Sequence, residues 1–103
     1  MAYTDEQIAK LVEAGFRRWT KGGRDRLYIN AESFGLELGR YKSGNICWAT
    51  FNGKKVSHAE GGRIEATKAY IDLADGKLNI RTYANSKDEI RASVQAVIDK
   101  ALA

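Results

Sequence analysis

The stretch from Lys68 to Tyr83 reads KAYIDLADGKLNIRTY, and it predicts an antiparallel β-hairpin. Asp75-Gly76 is a favourable two-residue turn, because both positions of such a turn need a positive φ that Asp and Gly accept. Four aliphatic side chains then share one face in two cross-strand pairs. The pairs are Leu73 with Leu78 and Ile71 with Ile80. The other face carries polar and aromatic side chains: Lys68, Tyr70, Asp72, Asn79, Arg81 and Tyr83.

A helix is predicted at the start of the chain. Thr4 and Gln7 have capping-box spacing, in which each side chain satisfies a free backbone N–H of the first turn. Apolar residues then recur at three- and four-residue steps from Ile8 to Trp19, as on one face of a helix. Gly22-Gly23 can end the helix, because glycine takes the left-handed conformation of a C-cap at little cost.

The middle of the chain predicts three strands, around Leu27–Ile29, Phe34–Leu38 and Ile46–Phe51. The third has apolar residues on both faces, which is typical of a central strand. Asn52-Gly53 follows it and is a strong hairpin signal. From Ser57 to about Thr67 the sequence leaves a short helix or a loop open, because the two glycines there disfavour a helix by roughly 1 kcal/mol each.

A second long helix is predicted at the end of the chain. Ser86 and Glu89 have capping-box spacing, and an apolar stripe runs from Ile90 to Leu102. The order of elements predicts one α+β domain over residues 1–103. We expect two layers, with an antiparallel sheet of about five strands and both terminal helices on one of its faces.

The positive charge is concentrated in RRWTKGGRDR, from Arg17 to Arg26. These residues hold five cations and one anion, whereas the rest of the chain has twelve of each, so they account for the net charge of +4. We predict a basic cluster where the first helix meets the first strand, and a simple meander of the first three strands brings Lys42 to the same end. The predicted binding residues are Arg17, Arg18, Lys21, Arg24, Arg26 and Lys42, with Lys54, Lys55, Tyr70, Arg81 and Tyr83 as secondary candidates.

No catalytic, cofactor or metal motif accompanies this charge. The single Cys47 and single His58 cannot supply the about four ligands of a structural zinc site. The Gly-rich stretches KGGRD and EGGRIEAT lack the spacing of a P-loop or a dinucleotide fingerprint. Neither a signal peptide nor a long apolar run is evident. We therefore expect a non-enzymatic cytoplasmic protein without cofactor or metal.

Two functions fit this description. The cluster could bind nucleic-acid phosphates, with tyrosines stacking on bases. Alternatively, Arg and Tyr could anchor the protein in an acidic surface of a partner, as in a small phage or mobile-element inhibitor of a host defence enzyme, resembling an anti-CRISPR protein. A third interpretation gives the cations no ligand, because they also complement a helix dipole and keep a small domain soluble. A homodimer formed by pairing of an exposed hairpin edge stays open.

Two family resemblances follow from the order of elements. The passage NICWATFNGKKV, from Asn45 to Val56, resembles the strand, Asn-Gly turn and strand of integrase arm-type DNA-binding domains. The early helix and three strands resemble a double-stranded-RNA-binding domain. Both resemblances imply nucleic-acid binding. Neither transfers a residue to this chain, since the later elements differ from both families.

Overall fold

The computed structural model describes residues 2–103. The three α-helices of this part of the chain are α1 (Asp5–Glu13), α2 (His58–Glu65) and α3 (Lys87–Leu102). Its strands are β1 (Phe16–Trp19), β2 (Arg26–Ile29), β3 (Leu36–Arg40), β4 (Ile46–Phe51), β5 (Lys54–Lys55), β6 (Lys68–Asp72) and β7 (Lys77–Arg81). Two 3₁₀ turns, Lys21–Gly23 and Ala31–Phe34, follow β1 and β2. Within residues 2–103 no helix has both the length and the apolar character that crossing a bilayer requires.

The strands form two antiparallel sheets. One has four strands in the order β1-β2-β6-β7, and the other has three in the order β3-β4-β5. The predicted α+β class is confirmed, but the expected sheet of about five strands is divided in two. The division occurs between β2 and β3, where the 3₁₀ turn Ala31–Phe34 buries Phe34 and Gly35 takes a φ of 125°.

The terminal helices pack together on one face of the four-stranded sheet, as predicted. Leu11 of α1 and Ile90 of α3 are fully buried in one core with Leu27 of β2 and Ile71 of β6. Burying an aliphatic side chain of this size stabilises a fold by roughly 1.5–3 kcal/mol. The opposite face of this sheet, which bears Trp19, we call the open face.

The first helix is much shorter than predicted. It ends at Glu13, and Phe16–Trp19, expected as its last turns, is the edge strand β1. Gly15 redirects the backbone with a φ of 124°, which favours glycine. Phe16 then enters the core and β1 pairs with β2 along its length, so the tertiary pairing overrides the helical spacing of the apolar residues. The prediction that Arg17 and Arg18 end a helix was therefore wrong.

The β6–β7 hairpin is confirmed, with a longer turn than predicted. Asp72 pairs with Lys77, so the loop has four residues and Ile71 lies opposite Leu78. Leu73 leaves the ladder because its side chain is fully buried and its N–H donates to the Asp25 carbonyl at 2.9 Å. The register is displaced by two residues, an even number, and therefore each side chain keeps its predicted face.

The capping predictions have mixed outcomes. The box at Thr4 and Gln7 is present in both directions. The box at Ser86 was wrong, because Ser86 donates its hydroxyl to Glu60 of α2 and gives no side-chain cap to α3. The region after Ser57 is the short helix α2. Packing requires a glycine at Gly61, because a Cβ at that position would lie 2.6 Å from the Ala49 Cβ of β4. Helix and strand therefore approach each other more closely than a larger side chain would permit.

Candidate nucleic-acid interface

The open face is built by the register of four strands. Because alternate residues of a strand point to the same side, the cross-strand partners place two complete rows on this face. One row is Arg17, Tyr28, Tyr70 and Asn79, and the next is Trp19, Arg26, Asp72 and Lys77. Lys68 of β6 and Arg81 of β7 pair beyond the first row and add two further cations.

Positive charge dominates the open face. It carries five cations and a single anion, Asp72. The exposed cations come from three strands, namely Arg17 of β1, Lys68 of β6 and both Lys77 and Arg81 of β7. Residues far apart in the sequence therefore create one positive surface, since β2 and β6 are neighbours in the sheet.

Tyr70 forms the floor of this face. Its side chain is only 4% exposed, because the Tyr28 ring lies 5.0 Å away between centroids and the Arg26 guanidinium lies 4.4 Å from the Tyr70 centroid. Arg81 approaches the same ring at 6.0 Å. These are cation–π distances, and they hold both arginines against the sheet. Tyr70, a predicted binding residue, is thus a support for the arginines rather than an exposed stacking surface.

Arg26 also has a supporting position. Its side chain is 14% exposed, and it donates to the Tyr28 hydroxyl at 3.2 Å and lies 3.9 Å from the Asp72 carboxylate. The hydrogen bond to Tyr28, aided by the nearby charges, raises the pKa of Arg26 despite the opposing effect of desolvation. Among residues 2–103, its buried Nε has no hydrogen-bond acceptor. A ligand on the open face would meet Arg26 as a partly neutralised charge.

Arg18 is paired with Asp25. Its Nε and Nη2 donate to the two carboxylate oxygens at 2.9 and 2.8 Å, in the bidentate arrangement that suits a guanidinium. This hydrogen bonding raises the pKa of Arg18 and lowers that of Asp25. Arg18 therefore fastens β1 to the segment before β2, and its charge is largely balanced.

Two concavities lie along the open face and meet at Lys68. Each has a volume of about 550 Å³. The first is lined by Arg17, Arg18, Trp19, Tyr28, Asn30 and Lys68. The second is lined by Ala59, Gly62, Arg63, Ala66, Lys68, Arg81, Thr82 and Tyr83. The two concavities adjoin at Lys68, one on the side of the edge strand β1 and the other on the side of α2; together we call them the basic track.

The remaining predicted cations lie elsewhere. Lys21 and Arg24 are exposed in the turn between β1 and β2, at one end of the open face. Lys42 is in the turn between β3 and β4, and Lys54 and Lys55 form β5, so these three belong to the second sheet. The expected meander that brought Lys42 to the cluster was wrong, because β2 and β3 are in different sheets.

Trp19 and Lys68 lie on the open face but are absent from the predicted set of binding residues. Trp19 was predicted on the apolar face of the first helix but is 53% exposed on β1. Phe16 and Trp19 are three residues apart, which is helical spacing, so the local pattern gave no signal that Trp19 would lie on a strand and point outwards.

Guanidinium, ammonium and aromatic groups thus make up the open face, and such groups bind phosphates and flat rings. Comparison of the chain with protein-family models, with curated proteins and with solved structures found no match. Among residues 2–103 no three His, Cys, Asp or Glu side chains are grouped as metal ligands would be.

Proposed function

We propose that this protein is a non-enzymatic module that binds nucleic acid on the open face. The observation that carries the proposal is the grouping of five cations with one anion on a single sheet face, next to the exposed Trp19. The proposed contacts to phosphates come from Arg17, Lys68 and Arg81, with Lys77 and the turn cations Lys21 and Arg24 adding to the field. We also propose a cytoplasmic location, since the single Cys47 needs no oxidising compartment.

Electrostatic binding has a measurable consequence in its salt dependence. Each phosphate neutralised releases counterions, so the logarithm of affinity falls with the logarithm of salt concentration by about 0.7 to 0.9 per contact. Replacing Arg17, Lys68 and Arg81 together by Ala should therefore reduce the magnitude of that slope by about 2 to 3. The assay is a fluorescence-anisotropy titration of mixed-sequence DNA and RNA at several salt concentrations.

A matched control comes from the second sheet. The triple Ala variant of Lys42, Lys54 and Lys55 removes the same three charges from residues outside the open face. It should retain most of the slope and affinity. If both triple variants lost the same amount of affinity, binding would depend on the net charge of the protein and not on the open face. If the unsubstituted protein did not bind at low salt, the proposal would be refuted.

A protein partner is the second candidate, as for a small inhibitor of a host enzyme. The observation that favours it is a pair of exposed aromatic residues away from the open face, with Tyr41 at 59% and Trp48 at 45% exposure. Tyr and Trp are common anchors of protein interfaces. Replacing both by Ala should leave nucleic-acid binding unchanged, whereas binding to a protein partner through this surface would be lost.

A further inference from the structure

We infer that the ligand of the open face is a single strand of nucleic acid, with bases stacked on Trp19 and Tyr83 and phosphates contacting the cations between them. The inference rests on the proposed function and specifies which nucleic acid the face accepts. Its basis is the position of two exposed aromatic side chains at opposite ends of a basic track.

The two aromatic side chains are available to a ligand. Trp19 lies on the edge strand β1 with 53% of its surface exposed, and Tyr83 follows β7 by two residues with 93% exposed. Stacking on such rings needs access to the flat face of a base, which an unpaired strand provides. In a duplex the bases stack on each other, so only the edges of the bases are accessible to Trp19 and Tyr83.

The basic track places a cation beside each ring and another between them. Trp19 and Arg17 line the first concavity, Tyr83 and Arg81 line the second, and Lys68 lines both. A strand lying in the two concavities would therefore meet a cation near each ring and a third where the concavities join. Such alternation of aromatic and basic groups suits a backbone with successive bases.

The width of the sheet disfavours a duplex. Its outer strands are separated by three strand spacings of about 4.8 Å, or roughly 14 Å before side chains are counted. The major groove of B-DNA is about 12 Å wide and admits a helix or a two-stranded ribbon. The four-stranded face is therefore too wide for the major groove of undeformed B-DNA, and a duplex would have to be bent or opened to bring its bases to the rings.

The distance between the rings predicts a dependence on oligonucleotide length. Trp19 is in the same row as Lys77, and Tyr83 lies six residues further along β7 and its extension. With about 3.3 Å per residue and the strand spacing above, the two Cα positions are roughly 20 to 25 Å apart. Affinity should rise with length until one strand reaches both rings and should then level off, within the range of about 4 to 16 nucleotides.

The experiment uses indole fluorescence. A Trp48→Phe variant leaves Trp19 as the only tryptophan, since the chain has two. This protein is titrated at low salt with a twelve-nucleotide oligothymidine, with the matching oligouridine and with a DNA duplex of about the same length. We expect both single strands to quench Trp19 and to bind about tenfold or more tightly than the duplex. The oligouridine arm distinguishes RNA from DNA as the preferred strand.

Two variants test the stacking contacts, and both are compared with the unsubstituted protein. Trp19→Leu removes the ring but keeps an apolar side chain on the edge strand, and Tyr83→Ala changes a side chain that is almost fully exposed. Each should weaken single-strand binding by about tenfold, with far-UV circular dichroism confirming the fold. Tyr41→Ala changes an exposed tyrosine in the turn between β3 and β4; it is the control and should bind normally.

The outcomes separate this inference from the proposed function. The inference would be overturned if duplex and single strand bound with equal affinity and if Trp19→Leu and Tyr83→Ala bound as well as the unsubstituted protein. The proposed function would survive that result, provided that binding still weakened with salt. Absence of binding to every oligonucleotide at low salt would overturn both. Strong single-strand preference that persists without either ring would also refute the stacking contacts.

Discussion

Glu60 joins two helices, and its removal should destabilise the protein by a predictable amount. One carboxylate oxygen accepts from the Asn85 backbone N–H at 3.2 Å, and the other accepts from the Ser86 N–H at 3.1 Å and from the Ser86 hydroxyl. The carboxylate therefore holds donors at the start of α3 from a position on α2. Its side chain is only 13% exposed.

The magnitude follows from these three hydrogen bonds. A hydrogen bond to a charged acceptor contributes about 1.5–3 kcal/mol to stability when the donor that loses it remains inaccessible to water. Here Asn85 is exposed, so part of the loss in Glu60→Ala is recovered by water. We expect Glu60→Ala to lower the free energy of unfolding by about 2 kcal/mol, and Glu60→Gln by less, because Gln keeps one acceptor oxygen.

The pH dependence gives an independent test of the same contacts. Partial burial alone would raise the pKa of Glu60, but the bonds from Ser86 and the Asn85 amide, together with the charge of Arg63, lower it below the usual 4.5. A lowered folded-state pKa contributes stability that is complete above the unfolded pKa and is lost as pH falls through the folded value. The stability difference between the natural protein and Glu60→Gln should therefore shrink below about pH 4.5.

Urea unfolding followed by circular dichroism measures these differences. With a slope of about 1–2 kcal/mol/M, a loss of 2 kcal/mol moves the midpoint by roughly 1–2 M. Glu65→Ala is the matched control on the same helix, since Glu65 is 41% exposed in a surface ion pair with Arg40. Such pairs contribute about 0–1 kcal/mol. If Glu60→Ala cost no more than Glu65→Ala, the carboxylate would not be a cap of α3 in solution.

Two further predictions concern packing and charge. Gly61→Val should lower the free energy of unfolding by about 1–3 kcal/mol, because a Cβ at position 61 would lie 2.6 Å from the Ala49 Cβ. Gly62→Ala is the control in the same urea assay: its Cβ would lie 3.6 Å from the nearest atom, and the substitution should stabilise the protein by up to about 1 kcal/mol. Arg18→Gln combined with Asp25→Asn should leave nucleic-acid affinity within about twofold in anisotropy titrations, because the double change removes the ion pair without altering the net charge. A loss as large as that of Arg17→Gln would show that Arg18 leaves Asp25 to bind the ligand.

The local parts of the fold could be predicted from sequence. Thr4 and Gln7 form their capping box, Asn52-Gly53 turns between β4 and β5, and the apolar stripe beginning at Ile90 builds α3. Each depends on residues a few positions apart, so composition and spacing suffice. The Phe16–Trp19 segment fails that condition, because its strand conformation depends on pairing with β2 across a turn.

The candidate site could not be predicted from local sequence patterns, because it depends on contacts between residues far apart in the chain. Tyr28 and Tyr70 are neighbours only because β2 lies beside β6, and the chain between these strands makes an entire second sheet and α2. Ser86 likewise fits the spacing of a capping box, but Glu60 of another helix takes its hydroxyl. Long-range partners of this kind compete with local ones, and sequence spacing does not show which will prevail.

Only part of the charge surplus between Arg17 and Arg26 is available on the open face. Arg18 is balanced by Asp25, and Arg26 lies against Tyr70 beside Asp72, so two of the five cations there act mainly within the fold. What this segment contributes to the open face is Arg17 and Trp19 on an edge strand. The remaining exposed cations of the face come from β6 and β7, and the segment from Lys68 to Arg81 has three cations and two anions, a net charge of only +1. A binding surface on a sheet is thus better sought by strand register than by charge along the chain.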